Sequence, residues 1–238
     1  MDPSIEEARA LVSDPALWPP VRDFLWNFAP QIHESWIEEI SIAPSPQSSQ
    51  REGDGLDASW TLRTARGMTS PRVDRFILES LGIEPFFHAF PKDDWSRLAL
   101  IDGATLLEIA KWLGALACAE ELRRVTDGKT VKSLKAALPG VYPEVFGYTA
   151  YFPRGVFQRG GAEAQSLADE VVMTGCGILL SAVAGLPSSL VSRLKLKLPS
   201  SLVSRLRDCG HGTRDERRAG FLKKLLKLKF PEAHSLCC

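Results

Sequence analysis

Apolar residues along this chain recur mostly at spacings of three and four, the pattern of helices packed by one face. Asp2-Pro3 predicts a helix start, with Asp as cap and Pro at the first helical position, over about 2–12. Pro19-Pro20 opens a second helix carrying Val21, Phe24, Leu25 and Phe28 on one face, and Pro30 stops it. One or two more turns are expected over 35–40. Residues 71–81 place Val73, Phe76, Ile77 and Leu81 at helical spacing, with Gly82 as a C-terminal stop. A further helix is expected over 91–100. The strongest helix follows Asp102, over 104–125. There Leu106, Leu107, Ile109, Ala110, Trp112, Leu113, Leu116, Ala117 and Leu122 cover nearly the whole circumference, which marks a buried central helix. Its last part, 120–124, turns charged and should reach solvent.

Beyond it, 129–138 reads as a short helix closed by Pro139-Gly140. The aromatic stretch 142–157 has no clear period. A long helix is expected over 162–184, ending at Gly185. In the last helix, 214–230, Phe221, Leu222, Leu225, Leu226 and Leu228 form an apolar face, with Lys223, Lys224 and Lys227 opposite. Leu-Pro-Ser-Ser-Leu-Val-Ser-Arg-Leu at 186–194 recurs identically at 198–206. A single repeat is a local tandem duplication rather than a solenoid, which needs at least about three. Deleting 186–197 is therefore expected to leave a folded protein. Between the copies, Arg193-Leu-Lys-Leu-Lys-Leu198 alternates charged and apolar residues, a strand-like period of two. Residues 43–58, with Pro44, Pro46, Gly53 and Gly55, read as a linker. The expected organisation is an N-terminal helical segment (1–42), a linker or mobile loop (43–70) and a helical main domain (71–238). The fold class is mainly α: an irregular multi-helix globular domain around a buried central helix, with few or no strands.

Charge sharpens this picture. The whole chain is formally neutral, which argues against nucleic-acid binding by bulk charge. Yet residues 1–62 carry eleven acidic and three basic side chains, and 186–230 carry twelve basic and three acidic ones. The ends either attract each other in the fold or face differently charged partners. The chain opens with Asp2, Glu6 and Glu7 and has no secretory pattern, so a cytosolic setting is expected. The most apolar run, 175–186, is shorter than the roughly 20 residues of a membrane span.

Candidate chemistry is sparse. Cys118, Cys176, Cys209, Cys237 and Cys238 contain no CxxC pair, and reduced thiols are the default without export. His33, His88, His211 and His234 stand at no metal-ligand spacing. Neither a nucleophile elbow, a phosphate-binding loop nor a dinucleotide fingerprint is present. No enzyme activity, catalytic residue, cofactor or metal is expected. Lys223, Lys224 and Lys227 remain as guesses for partner binding. Their helix reads first as a solvated cationic face, then as a dock for an acidic partner, and last as a peripheral membrane-binding helix over 214–230.

Several stretches, in order, resemble the K-type accessory proteins of bacterial type III secretion systems, the SctK or YscK/PscK-like family. Phe28-Ala-Pro-Gln-Ile-His33 with Trp36 resembles its Phe-x-Pro and His pattern. Arg97-Leu-Ala-Leu-Ile-Asp102, Leu106-Leu107, Trp112-Leu113-Gly114, Arg123-Arg124, Gly128 and Val131-Lys-Ser-Leu134 follow. Arg193-Leu-Lys-Leu-Lys-Leu-Pro199 is similar to the family's Arg-Leu-x-Leu-basic-Leu-Pro segment, and Leu225-Leu-Lys-Leu-Lys-Phe-Pro231 to its helical tail. The resemblance implies a non-enzymatic adaptor of the injectisome sorting platform, at the cytoplasmic face of the inner membrane. Its implied partners are the inner-membrane ring protein's cytoplasmic domain and the pod subunit, with any membrane contact indirect.

Overall fold

The computed structural model describes residues 15, 17–42, 71–83, 94–152, 166–206 and 213–237. The helix expected over 2–12 and the linker expected over 43–58 lie outside them, as does all but residues 15, 17–42 and 71–83 of the stretch 1–93. The described residues are mainly α-helical, with short 3-10 turns and no strand among them. In chain order the helices are α1 (Trp18–Trp26), α2 (Glu34–Ile42), α3 (Pro71–Ser80), α4 (Gly103–Ala117), α5 (Ala119–Arg124) and α6 (Gly128–Ala137). Then come α7 (Leu167–Ala182), α8 (Ser188–Leu196), α9 (Ser200–Arg205), α10 (Glu216–Lys229) and α11 (Pro231–Cys237).

Two compact units form, each from two separate stretches. One comprises Met1–Gly103 and Pro187–Val203, the other Ala104–Leu186 and Ser204–Cys238. A partition at 42, 70 and 71 follows chain order; the compact units do not.

In the first unit, α1 carries Pro19-Pro20 in its opening turn, where a missing N–H leaves no helical bond unmade. Val21, Phe24 and Phe28 are buried. Pro30 sits within a 3-10 turn, Ala29–Gln31, so the chain tightens there instead of simply stopping. Asp74 of α3 receives the N–H groups of Phe28 and Ala29 at 2.7 and 2.9 Å and so caps that turn. Of the helix expected over 91–100, residues 94–100 are described and form a 3-10 helix. It packs against α1 and α8.

In the second unit, the helix expected over 104–125 is present as α4 and α5, kinked at Cys118. Its centre is buried and Arg123 and Arg124 are exposed, as the pattern implied. Gly114 of α4 and Gly175 of α7 let the two backbones touch. A Cβ on Gly114 would lie 1.7 Å from the Val171 carbonyl oxygen, and one on Gly175 1.7 Å from that of Ala110. Only glycine allows this approach. α6 and α10 also pack on α7, and α11 packs against α10. Asp127 caps α6 by accepting the Thr130 N–H at 2.8 Å. The hydrophobic face of α10 is Phe221, Leu222, Leu225 and Leu226; Leu228, expected with them, is 42% exposed. The helix α11 has no counterpart in the sequence reading. Pro231 opens it and Ala233 and Cys237 are buried.

Two expectations for the duplicated region are corrected. Residues 193–196 complete α8 rather than forming a strand. Leu190, Arg193, Leu194 and Lys197 stand at i, i+3, i+4 and i+7, one helical face, and all four are buried. Nor are the copies interchangeable. Arg193 in the first copy is fully buried in the first unit. Its counterpart Arg205 is partly exposed and pairs with Asp169 at 2.9 Å in the second unit. Twelve residues after Lys197 stands Cys209, so the second copy supplies no equivalent lysine.

The glycine crossing generates a paired prediction. Gly175→Ala should destabilise by about 1–3 kcal/mol, because the added methyl meets backbone that cannot yield. Gly220→Ala, mid-helix in α10 with open space around its Cβ, should stabilise by about 0.5–1 kcal/mol. Urea denaturation of both variants checks the opposite signs.

Candidate functional site

Asp215 starts α10, accepting the N–H groups of Arg217 and Arg218 at 3.0 and 3.2 Å. The apolar face of the helix is spent on the core, so its basic residues carry whatever outward chemistry it has. Lys223, Lys224 and Lys227 are all exposed. They do not play one role. The Lys224 ammonium donates to the Tyr151 carbonyl and lies 5.6 Å from the centre of the Phe152 ring. Phe152 in turn meets Phe221 at a tilt, ring centres 4.4 Å apart. Lys224 is thus a strut between α10 and the 3-10 segment Thr149–Tyr151, exposed though it is.

Sequence reasoning missed the most engaged cation of this helix. Lys229 stands seven, four and three residues after Leu222, Leu225 and Leu226, so it shares the inward face. Its ammonium lies 4.4 Å from the Trp112 ring centre and 4.6 Å from that of Tyr148. It also donates to Glu144 Oε1 at 2.5 Å. Burial pulls the Lys229 pKa down, but hydrogen bonds and charge at Glu144 and Tyr148 outweigh it and leave the value above that of an ordinary lysine. The spacing was available in the sequence; a lysine among leucines was simply assigned by its charge.

A second constellation lies in the first unit. Arg193 and Lys197, one helical turn apart, are 0% and 1% exposed. The Arg193 guanidinium donates through Nη1 to the Phe24 carbonyl at 2.8 Å and lies 5.0 and 5.4 Å from the Phe24 and Phe28 rings. The Lys197 ammonium donates to the Ala99 and Ile101 carbonyls at 2.6 and 2.8 Å, with the same two rings at 5.7 Å. Burial lowers Lys197 to about 7, Asp102 pulling it up and Arg193 pushing it further down. Burial lowers Arg193 to about 10, partly offset by Asp74. Burial likewise raises Asp74, against the amides of Ala29 and Phe28 and the Arg193 charge.

Beside this centre the C-terminal end of α8 and the residues after it hold residues 33–36. The His33 N–H donates to the Leu196 carbonyl at 2.8 Å, and the Trp36 indole N–H to that of Leu198 at 2.8 Å. Ser35 Oγ accepts the Ser200 N–H at 2.9 Å.

Among the described residues no cluster of His, Cys, Asp or Glu is placed to hold a metal ion. Cys118, Cys176 and Cys237 are buried thiols. No family model, no curated protein and no solved structure matches the chain.

The buried lysine sets a pH dependence. Between pH 7 and 10.5 the unfolded chain holds a proton on Lys197 that the folded chain has released. Stability therefore rises with pH across that window. Lys197→Met removes this linkage, so its stability should gain about 2 kcal/mol less than the parent between pH 7 and pH 9, read from urea midpoints at each pH. The same centre revises the expectation for the duplication. Deleting 186–197 brings Arg205 to the position of Arg193 but Cys209 to that of Lys197, so the buried donor to the Ala99 and Ile101 carbonyls is lost, and buried polar groups left unpaired are costly in a small domain. The deletion should yield insoluble or unfolded protein by circular dichroism, whereas Arg205→Gln should remain folded.

Proposed function

We propose that the chain is a non-enzymatic adaptor of a bacterial type III secretion sorting platform. In this reading it works at the cytoplasmic face of the inner membrane and bridges the ring protein's cytoplasmic domain and the pod subunit. One observation carries the proposal. Two of the resembling stretches, 28–36 and 193–199, lie far apart in sequence yet pack together. Arg193 covers Phe28, Leu196 receives the His33 amide, and Leu198 receives the Trp36 indole. Residues that share one structural centre are those a family would hold in common order and spacing, so the weak motifs reinforce one another.

Adaptor work requires separate surfaces on a stable body, with no catalytic group. The outward lysines of α10 supply one such surface, suited to an acidic partner. The rival reading, a peripheral membrane helix over 214–230, needs the apolar face of α10 to enter lipid. That face is buried in the second unit, with Leu222, Leu225 and Leu226 at 0% exposure. No helix among the described residues is long and apolar enough to cross a membrane.

The test is co-purification with each partner. The wild-type chain should retain both the ring protein's cytoplasmic domain and the pod subunit. Lys223→Glu with Lys227→Glu should weaken one of them by roughly tenfold and spare the other, more so at low salt. Lys224 stays intact in this variant because it braces Tyr151. Failure of the wild-type chain to hold either partner at low and moderate salt would overturn the adaptor reading.

A further inference from the structure

Trp112, Tyr148 and Glu144 form a corner with the chemistry of an ammonium receptor. The Trp112 and Tyr148 rings meet edge to face, centroids 5.4 Å apart and planes at 82°. Two perpendicular aromatic rings present their electron-rich faces to one point, and a carboxylate beside them adds a hydrogen-bond acceptor. Trp112 is buried in α4, and Tyr148 follows the 3-10 turn Glu144–Gly147 that also carries Glu144. The corner is thus built from two separate stretches of the second unit. Its Glu144 side is the more exposed one: the Glu144 side chain is 51% exposed and that of Lys229 19%. Lys229, at the last residue of α10, fills it from the same unit.

We propose that this corner is a binding site for alkylammonium ions that the chain closes with its own Lys229, so that an external ammonium and Lys229 compete for one seat. The class of ligand follows from the geometry. Two ring faces attract a cation without demanding directional bonds, so a methylated ammonium fits as well as a primary one. Glu144 on the more exposed side favours a primary ammonium, which can donate to it, over a quaternary one. Nothing in the adaptor reading requires this site, and the isolated full-length chain suffices to test it.

Lys229→Ala in the full chain vacates the seat. n-Butylammonium, which reproduces the lysine side chain beyond its Cα, should then bind with a dissociation constant on the order of tens of millimolar. The readout is a saturable rise in thermal midpoint over sodium chloride at equal ionic strength. The wild-type chain should show none, because its seat is taken. Adding Glu144→Gln should weaken n-butylammonium about three- to tenfold and tetramethylammonium little. An equal response of wild type and variant, or no response of the variant, would overturn the proposal. Should Lys229→Ala not fold, the wild-type chain carries the test. The ε-methylene protons of a lysine held against two ring faces resonate upfield of exposed lysines. Lys229→Arg should remove that signal, and Glu144→Gln should move it back toward the exposed position. A Lys229 ε-methylene at the exposed position would refute the seat.

Discussion

A cation taken out of water must be given fixed oxygens and aromatic faces in place of its hydration shell. The first unit is arranged around two such cations on one turn of α8. Each neighbouring element supplies a part. α1 gives the Phe24 carbonyl and ring, the turn after it gives the Phe28 ring, and α3 gives Asp74. The 3-10 segment Asp94–Leu100 and the residue after it give the Ala99 and Ile101 carbonyls. That last contribution accounts for the irregular geometry there. A 3-10 turn ends with carbonyls that have no helical partner, and Lys197 satisfies two of them. Asp74 raises the Arg193 pKa and Asp102 that of Lys197, but Asp74 is itself committed to two amides. Loss of hydration is the main cause of the low Lys197 pKa, and the neighbouring Arg193 charge adds to it against Asp102.

The second unit rests on contact rather than charge. Where α4 meets α7 the backbones replace side chains as the packing surface, and dispersion between close main chains takes over from interdigitated leucines. The outer elements then lock onto this axis through cation–aromatic contacts. Arg123 lies 5.5 Å from the Phe146 ring centre and donates to Thr149 at 2.6 Å, while Lys224 and Lys229 reach the same aromatic segment from α10. Within residues 142–152 the Phe146, Tyr148 and Phe152 rings are each held by a cation from α5 or α10, not by one face of a helix.

The sequence made the helices legible wherever an apolar stripe was unbroken, and illegible wherever a charged residue occupied an inward position. α4, α6, α7 and α10 follow their spacing closely. α8 was obscured because two of the four residues on its buried face are Arg193 and Lys197, which leaves leucines alternating with bases and imitates a strand. Lys229 was overlooked for the same reason. Asp74 lies between Val73 and Phe76 on a helix read by its hydrophobic residues, and its role as cap for a turn 45 residues away has no local signal. The short α11 carries too few apolar residues for a period. The outward direction of Lys223 and Lys227 was legible; the inward commitment of Lys224 depends on Tyr151 and Phe152, which no spacing rule links to α10.

The duplicated nine residues have a bearing on how this chain is inherited. A crossover anywhere between the two copies, in register, gives a single product: one copy joined directly to Arg207, with the twelve residues of one repeat unit lost. That product retains an arginine at the position of Arg193 but places Cys209 where Lys197 stood. Tandem identity would ordinarily make the segment prone to contraction. Here each contraction removes the ammonium that holds the Ala99 and Ile101 carbonyls, so the lineage can shed its repeat only after another donor has arisen for them. A segment that entered as surplus has become irreversible, because the fold closed around one copy and its three flanking residues.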